Sequence, residues 1–333
     1  MNLPSRTSQA VALTRAGLRR PHSMQGDPDS QWKLCRDMQF SPPAWLAPSI
    51  AARTRFVDAE VTGAIEAGLR QVVTCGAGYD DRALRFRTSG VRFFELDHPA
   101  TQADKARLLR ALGEAPGSAD GAGDGAAGGA PVGSADGAAV GSADGAAVGS
   151  ADGGGDGAAG GATDRTAGSA TDDAAVGAAG GAALTLAAAD FSSDDVGAVL
   201  ARAGHDAHQP TLFVCEGLLV YLDEGTCRRL LTALAARGAP GSRLVVSIAT
   251  HAEGFDSAEV VTAANLRRRT AAAEPWRTIL PPAEHLALVE QSGWAVTATE
   301  WSPVAAADVS HGRRSLLVAA VVRETGLGTA AQS

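Results

Sequence analysis

Residues 71–99 read QVVTCGAGYDDRALRFRTSGVRFFELDHP, and the rest of the chain is best understood outward from them. Gln71-Val72-Val73-Thr74-Cys75 is a short apolar run with β-branched residues, suited in length and composition to a buried strand. It stops at Gly76-Ala77-Gly78, where glycine admits positive φ and lets a ligand approach the backbone closely. Residues 80–86 read as a helix start, with acids in the first turn where the helix dipole favours them. Residues 91–97 form a second strand that ends in Asp97. Strand, glycine turn, helix, strand and terminal acid is the layout of a nucleotide-binding βαβ unit. An acid about 20 residues beyond the glycines can bond a ribose diol at the carboxyl edge of a parallel sheet.

The residues after the glycines bear on which nucleotide this is. A dinucleotide fingerprint wants a third glycine three residues after Gly78, and the chain has none there. Asp80 and Asp81 place two carboxylates where a pyrophosphate would be repelled. S-adenosylmethionine has no phosphate and carries a sulfonium and an amine, so the pattern favours a methyl donor over NAD. A GxG turn by itself also suits a strand–turn–helix whose glycines serve geometry alone.

The segment from about residue 114 to 183 has a different character. It is built from Gly, Ala, Ser and Asp, and the octapeptide GSADGAAV begins at Gly133 and again at Gly141, with a degraded copy from Gly149. Such a composition buries too little apolar surface to offset its ordering entropy, so a disordered insertion is expected. Ten of the chain's 37 acids and one of its 29 Lys and Arg residues fall there. The other 263 residues are enough for one large α/β domain, and they are nearly neutral. Nothing in their charge points to nucleic acid or to a membrane. The longest apolar run, residues 316–322, is too short to span a bilayer.

Four cysteines lie far apart with no CxxC spacing, and Cys75 and Cys215 fall in expected buried strands, so reduced core thiols are expected. The first 26 residues hold four arginines and no acid, a mild likeness to a transit peptide, without a secretory apolar core. A soluble, reducing compartment, the cytoplasm, is the expectation. His205 and His208 near Asp206 lack further converging ligands, so no metal site is expected.

Taken in order, residues 10–20 and about 45–69 look helical. In the second stretch Ile50, Phe56, Val57, Val61, Ile65 and Leu69 recur at helical intervals, and Arg53 leaves the apolar face. Pro99 can open a helix carrying Leu108, Leu109 and Leu112. Further strands are expected at 183–189, 211–215, 244–248, 294–301 and 316–322, with helices at 194–203, 224–236 and 281–292. Alternating strands and helices imply a mostly parallel sheet covered on both faces. Asp97, Asp190 and Glu216 each follow an apolar strand directly, so all three belong at the edge where doubly wound sheets bind ligands. A ribose diol, an adenine amino group and a methionine ammonium all donate to carboxylates.

The segments ARTRFVD (52–58), 71–86, 94–105, 210–222, EPWR (274–277) and Gly293-Trp294 resemble the leucine carboxyl methyltransferase-like family of class I S-adenosylmethionine-dependent methyltransferases, in its bacterial O-methyltransferase branch. They occur in the family's order through almost all of the chain outside the insertion. The resemblance implies a Rossmann-like, doubly wound seven-stranded sheet with its last strand antiparallel. It implies an N-terminal helical cap over 1–70 and a methyltransferase domain over 71–113 and 184–333, interrupted by the insertion at 114–183. It further implies that Arg53, with Arg55 as the fallback, anchors the cofactor's carboxylate. Gly76, Ala77 and Gly78 would lie beneath the adenosyl group, and Asp97 would take the ribose. Asp190 and Phe191 would meet the adenine, Glu216 the methionine end, and Tyr221 would face the acceptor.

The expected activity is methyl transfer to a carboxylate or hydroxyl oxygen of a small or carrier-bound acceptor. Two alternatives are an NAD-binding oxidoreductase and a non-catalytic cofactor-binding scaffold. Among the remaining residues, Glu95 is expected in a salt bridge or at the surface, and Trp276, Trp294 and Trp301 as core or lid anchors. His98 is a weak base candidate. The pair Arg313-Arg314 reads as a solvated turn that could attract an acidic substrate.

Overall fold

The computed structural model describes residues 4–39, 41–119, 183–267 and 274–323. They all lie in one compact unit, which comprises Met1–Gly123 and Gly181–Ser333. The expected insertion falls outside the described residues except at its two ends.

Among the described residues three α-helices precede the first strand: α1 (Arg6–Ala16), α2 (Ser30–Cys35) and α3 (Ala47–Glu66), the last entered through a 3-10 turn at Ala44–Leu46. Ser5 caps α1 by accepting from the Ser8 N–H, which starts the helix several residues before its apolar pattern suggests. Strands β1 (Gln71–Cys75), β2 (Arg92–Asp97), β3 (Gly117–Ser118), β4 (Leu184–Ala188), β5 (Thr211–Cys215), β6 (Arg243–His251), β7 (Trp294–Trp301) and β8 (Arg313–Val322) form one sheet. Its order is β3-β4-β2-β1-β5-β6-β8-β7, all parallel except β8, which runs antiparallel to both β6 and β7. The sheet is eight-stranded rather than the expected seven-stranded. The extra member, β3, is a two-residue edge pairing to β4 in a Gly/Ser stretch with no side-chain pattern to announce it.

The remaining helices are α4 (Arg82–Arg85), α5 (Pro99–Ala111), α6 (Val196–Arg202), α7 (Glu224–Ala236), α8 (Ser257–Arg267), α9 (Pro282–Gln291) and α10 (Ala306–Val309). Side chains alternate across the central strands with period two. Val73, Cys75, Phe213 and Cys215 pack with residues of α6, α7 and α9. Val72, Leu212 and Val214 point the other way and pack with α3 and α5. Both faces of the central parallel strands are therefore dry, as parallel pairing requires. All four cysteines are buried and free. No helix among the described residues is long and apolar enough to cross a membrane.

The sheet order places the site. Chain progression runs outward from β1 through β2 to β4, then returns to the other side of β1 at β5. The carboxyl ends of β1 and β5 thus flank a topological switch point, where open α/β sheets form their crevice.

At the opposite edge His205 is buried, receives a hydrogen bond at Nδ1 from Arg237 at 3.1 Å, and lies 2.9 Å by Nε2 from Thr211 Oγ1. An arginine only donates, so the neutral Nε2–H tautomer is present. Burial, helped by Arg237, pushes its pKa down to about 4, and burial does the same for His285. The unfolded chain takes up these protons near pH 6.5, whereas the fold resists them until about pH 4. The contribution of these two histidines to stability is therefore complete above neutrality and falls as pH drops through this window, by roughly 3 kcal/mol per histidine at its end. Burial raises the Glu95 pKa to about 7, so Glu95 contributes in the opposite sense over the same range. Urea denaturation between about pH 7.5 and pH 5 should therefore show less loss of stability on acidification in His205→Gln than in the wild type.

Candidate functional site

The glycine turn after β1 is shaped by two contacts. Gly76 and Ala77 both donate their N–H groups to Leu96 O, at 2.8 and 3.1 Å, which folds the turn back over β2. Gly78 has φ +53°, and a Cβ there would come within 2.6 Å of Ser8 Cβ on α1. Glycine is required at this point both by the backbone and by the close passage of the N-terminal helix. The Gly78 N–H is spent on Asp97 Oδ2 at 2.6 Å, and the His98 N–H reaches Asp97 Oδ1 at 2.7 Å. Burial raises the Asp97 pKa and these two bonds oppose it. Each carboxylate oxygen, holding one N–H, keeps a lone pair in a geometry suited to two neighbouring hydroxyls.

Beneath the turn lies a buried network of five arginines and four carboxylates. Glu216, directly after β5, takes Arg15 Nη2 and Arg53 Nε on Oε1, both at 2.6 Å, and Arg82 Nη1 on Oε2 at 2.8 Å. Arg82 also reaches Asp80 and, at 2.7 Å, Asp58, while Arg15 reaches Asp80 at 3.2 Å. Arg20 joins Asp58 to Asp81, and Arg85 closes on Asp81. Burial works to raise the carboxyl pKa values. The neighbouring guanidiniums outweigh it, holding Asp80 and Asp81 below the ordinary range and Glu216 well below.

The expectation that Asp80 and Asp81 present free repelling charge at the turn does not hold, because both are buried and paired with arginines, Asp80 on the cavity lining itself. The expected helix start is correspondingly short: α4 has four residues, and its flanking acids are paired with arginines, while Asp80 Oδ1 also accepts from the Arg82 N–H at the helix start at 2.8 Å. Glu95 is the inner half of a salt bridge with Lys105, buried rather than at the surface.

A cavity of about 630 Å³ opens above this network at the carboxyl edge. Of the residues singled out from sequence, Arg53, Gly76, Ala77, Asp97, Asp190, Phe191, Glu216 and Tyr221 all line it. Gly78 does not line it and acts through Asp97. Asp190 Oδ1 is held by the N–H and hydroxyl of Ser192, at 2.9 and 2.6 Å, which orients the carboxylate. Tyr221 ends the 3-10 turn Leu219–Tyr221 after β5 and is half-buried. Arg53 spends Nε on Glu216 while its Nη groups lie beside Gly217. Arg55, the fallback, is exposed on α3 and does not line the cavity. His98 lines the cavity, but its Nδ1 caps α5 by accepting from Ala100 N at 3.3 Å.

Sequence reasoning missed α1 as a wall, together with Arg15, Asp58 and Arg82. The apolar periodicity that reveals helices says nothing about which arginines turn inward. Of the three tryptophans, Trp294 is wholly buried beneath α7, Trp301 is exposed, and Trp276 lines the cavity. Arg313 also lines the cavity and is buried, not a solvated turn. Among the described residues no cluster of His, Cys, Asp or Glu is arranged to hold a metal.

This strand order, with β8 antiparallel and the cavity at the switch point, is the class I methyltransferase fold. A family model described as leucine carboxyl methyltransferase matches residues 15–235, and the chain belongs to that family. It is similar to a Parafrankia sp. protein provisionally named an S-adenosyl-L-methionine-dependent methyltransferase, with 29% identity over 68% of this chain and 52% of that one. A Mycobacterium avium protein of the same provisional name is 28% identical over 72% of this chain and 56% of its own. The chain thus spans about half the length of the curated relatives it matches. A crystal structure of a Thermobifida fusca protein, described as a candidate methyltransferase, aligns over 97% of both chains with 13% identity and a TM-score of 0.48.

The network should be costly to break. Arg82→Met strips a partner from Asp58, Asp80 and Glu216 at once. It should lower unfolding free energy by about 3–5 kcal/mol in urea titration at neutral pH.

Proposed function

We propose that this chain binds S-adenosyl-L-methionine in the carboxyl-edge cavity and methylates an oxygen of its acceptor, with a carboxylate as the accepting group. The observation that carries the reading is the convergence of Asp97, Asp190 and Glu216, from three different strand ends, on one cavity beside the glycine turn. The residues present fit the cofactor. Asp97 offers two oriented lone pairs to a ribose diol, and Asp190 with Phe191 offers a carboxylate and an apolar face to an adenine. The network adds a charge argument for the methionine end. Five arginines against four carboxylates leave one positive charge in surplus, and Arg53 brings it to the cavity wall. A bound α-carboxylate completes that balance, and Glu216 receives the ammonium.

When bound, the sulfonium supplies an electrophilic methyl group, whose carbon–sulfur bond breaks onto sulfur as the bond to the acceptor oxygen forms. The protein's part is positioning and exclusion of water, which can contribute several orders of magnitude. Tyr221, which lines the same cavity, is the residue we assign to orienting the acceptor oxygen. A carboxylate is already ionised at neutral pH and asks no base of the enzyme.

Asp97→Ala should weaken S-adenosylhomocysteine binding roughly tenfold to hundredfold in calorimetry, the worth of hydrogen bonds to an ionised carboxylate. Its circular dichroism should stay native, and the wild type should bind S-adenosylhomocysteine but not NAD. Undiminished affinity in a folded variant would remove Asp97 from the site.

Turnover of the carboxylate acceptor should be nearly flat from about pH 6 to 8, and its product an ester that mild alkali returns to the acid. An alkali-stable ether, or a rate that climbs through this range and collapses in His98→Ala, would favour a base-assisted hydroxyl acceptor instead.

A further inference from the structure

Strand β6 continues past the point where β5 leaves the sheet. Their pairing ends with Cys215 beside Val246, and Ser247 is the next residue along β6. The departing chain turns at Gly217, with φ +69°, and the Gly217 N–H donates to Ser247 Oγ at 2.7 Å. A side-chain oxygen thus takes the place of the carbonyl that a continuing ladder would have offered. Ser247 is buried and does not line the cavity, whereas Gly217 does. Ser247 is itself held firmly, because β6 pairs with β8 along its full length, with Ser247 in register with Leu317.

Gly217 is also the seat of Arg53. A Cβ on Gly217 would come within 3.3 Å of Arg53 Nη1 and 3.5 Å of both Cζ and Nη2. Three guanidinium atoms at nearly one distance mean that the group lies face down on the glycine. Arg53 Nε is held by Glu216 at 2.6 Å. One face is therefore covered and Nε is occupied, so the plane of the guanidinium is fixed. Among the described residues neither Nη nitrogen has a hydrogen-bond partner, and the side chain lines the cavity. The edge formed by Nη1 and Nη2 is a two-point site for a carboxylate, and its worth depends on the plane being held.

We propose that Ser247, which touches no ligand, is a positioning residue for the cofactor: through the Gly217 N–H it holds the seat from which Arg53 is aimed at the α-carboxylate. The inference rests on the methyl-transfer reading above and adds a residue that acts on the same site through another. It also gives Gly217 two reasons to be glycine, its positive φ and the guanidinium lying on it.

The test is calorimetric titration of the full-length protein with S-adenosylhomocysteine and with its decarboxylated analogue, which keeps the adenosine, the thioether and the amine. The wild type should favour S-adenosylhomocysteine by about tenfold or more, the worth of a charge-assisted pair. Ser247→Ala should weaken S-adenosylhomocysteine binding roughly fivefold to tenfold, while the analogue stays within about twofold. Gly217→Ala, which presses on the guanidinium directly, should show the same selectivity and serves if Ser247→Ala does not fold. In an Arg53→Met background, Ser247→Ala should cause no further loss, because the two residues act through one contact. A loss shared equally by both ligands, no loss at all, or a full loss that persists without Arg53 would overturn the proposal. A wild type that binds the two ligands alike would also overturn it and would leave the methyl-transfer reading standing. A wild type that binds neither would overturn that reading, and the proposal with it.

Discussion

The three arginines on Glu216 are the contact on which the rest of the site depends. Arg15 comes from α1, Arg53 from α3 and Arg82 from the short helix after the glycine turn, so one carboxylate at the end of β5 ties three separate segments to the sheet edge. A network of this kind is not the most stabilising way to fill a core, since apolar replacements often do as well. Its effect is on geometry. Each guanidinium has a fixed fork, and each carboxylate holds more than one of them, so few alternative arrangements satisfy every member.

The consequence is a cavity whose walls are set before any ligand arrives. α1 is drawn over the glycine turn until Ser8 touches Gly78, and Gly78 in turn orients Asp97. Oriented groups that need not reorganise are the main way a protein lowers the barrier of a displacement reaction. The lining of the cavity is mixed in kind. The strand-end acids are polar and pre-bonded, while Trp45, Trp276 and Tyr221 add aromatic surface, with Arg313 against the Trp276 ring.

Much of this was legible in the chain. β1, β5, α7 and β7 occupy the residues that apolar runs and turn signals assign them; for β1 and β5 the reason is that buried parallel strands need continuous apolar stretches and leave a strong local signature. The strand-end acids were legible for the same reason: once a strand's end is known, the next residue's place at the sheet edge follows. α2, α8, β3 and α10 escaped; β3 and α10 are two and four residues long and shorter than any period.

What the sequence by itself determined is the order of elements, the glycine turn and the three acids that follow strands, since each is fixed by residues close together in the chain. Only the tertiary structure decided which charges face which. Asp80 and Asp81 look like free acids until Arg15, 65 residues away from Asp80, and Arg20, 61 residues from Asp81, are brought against them. Arg313 looks like a surface turn until Trp276 is brought beneath it. Pairings at such separations leave no local pattern, because burial of a charge is settled by its partner, and the partner is supplied by the fold.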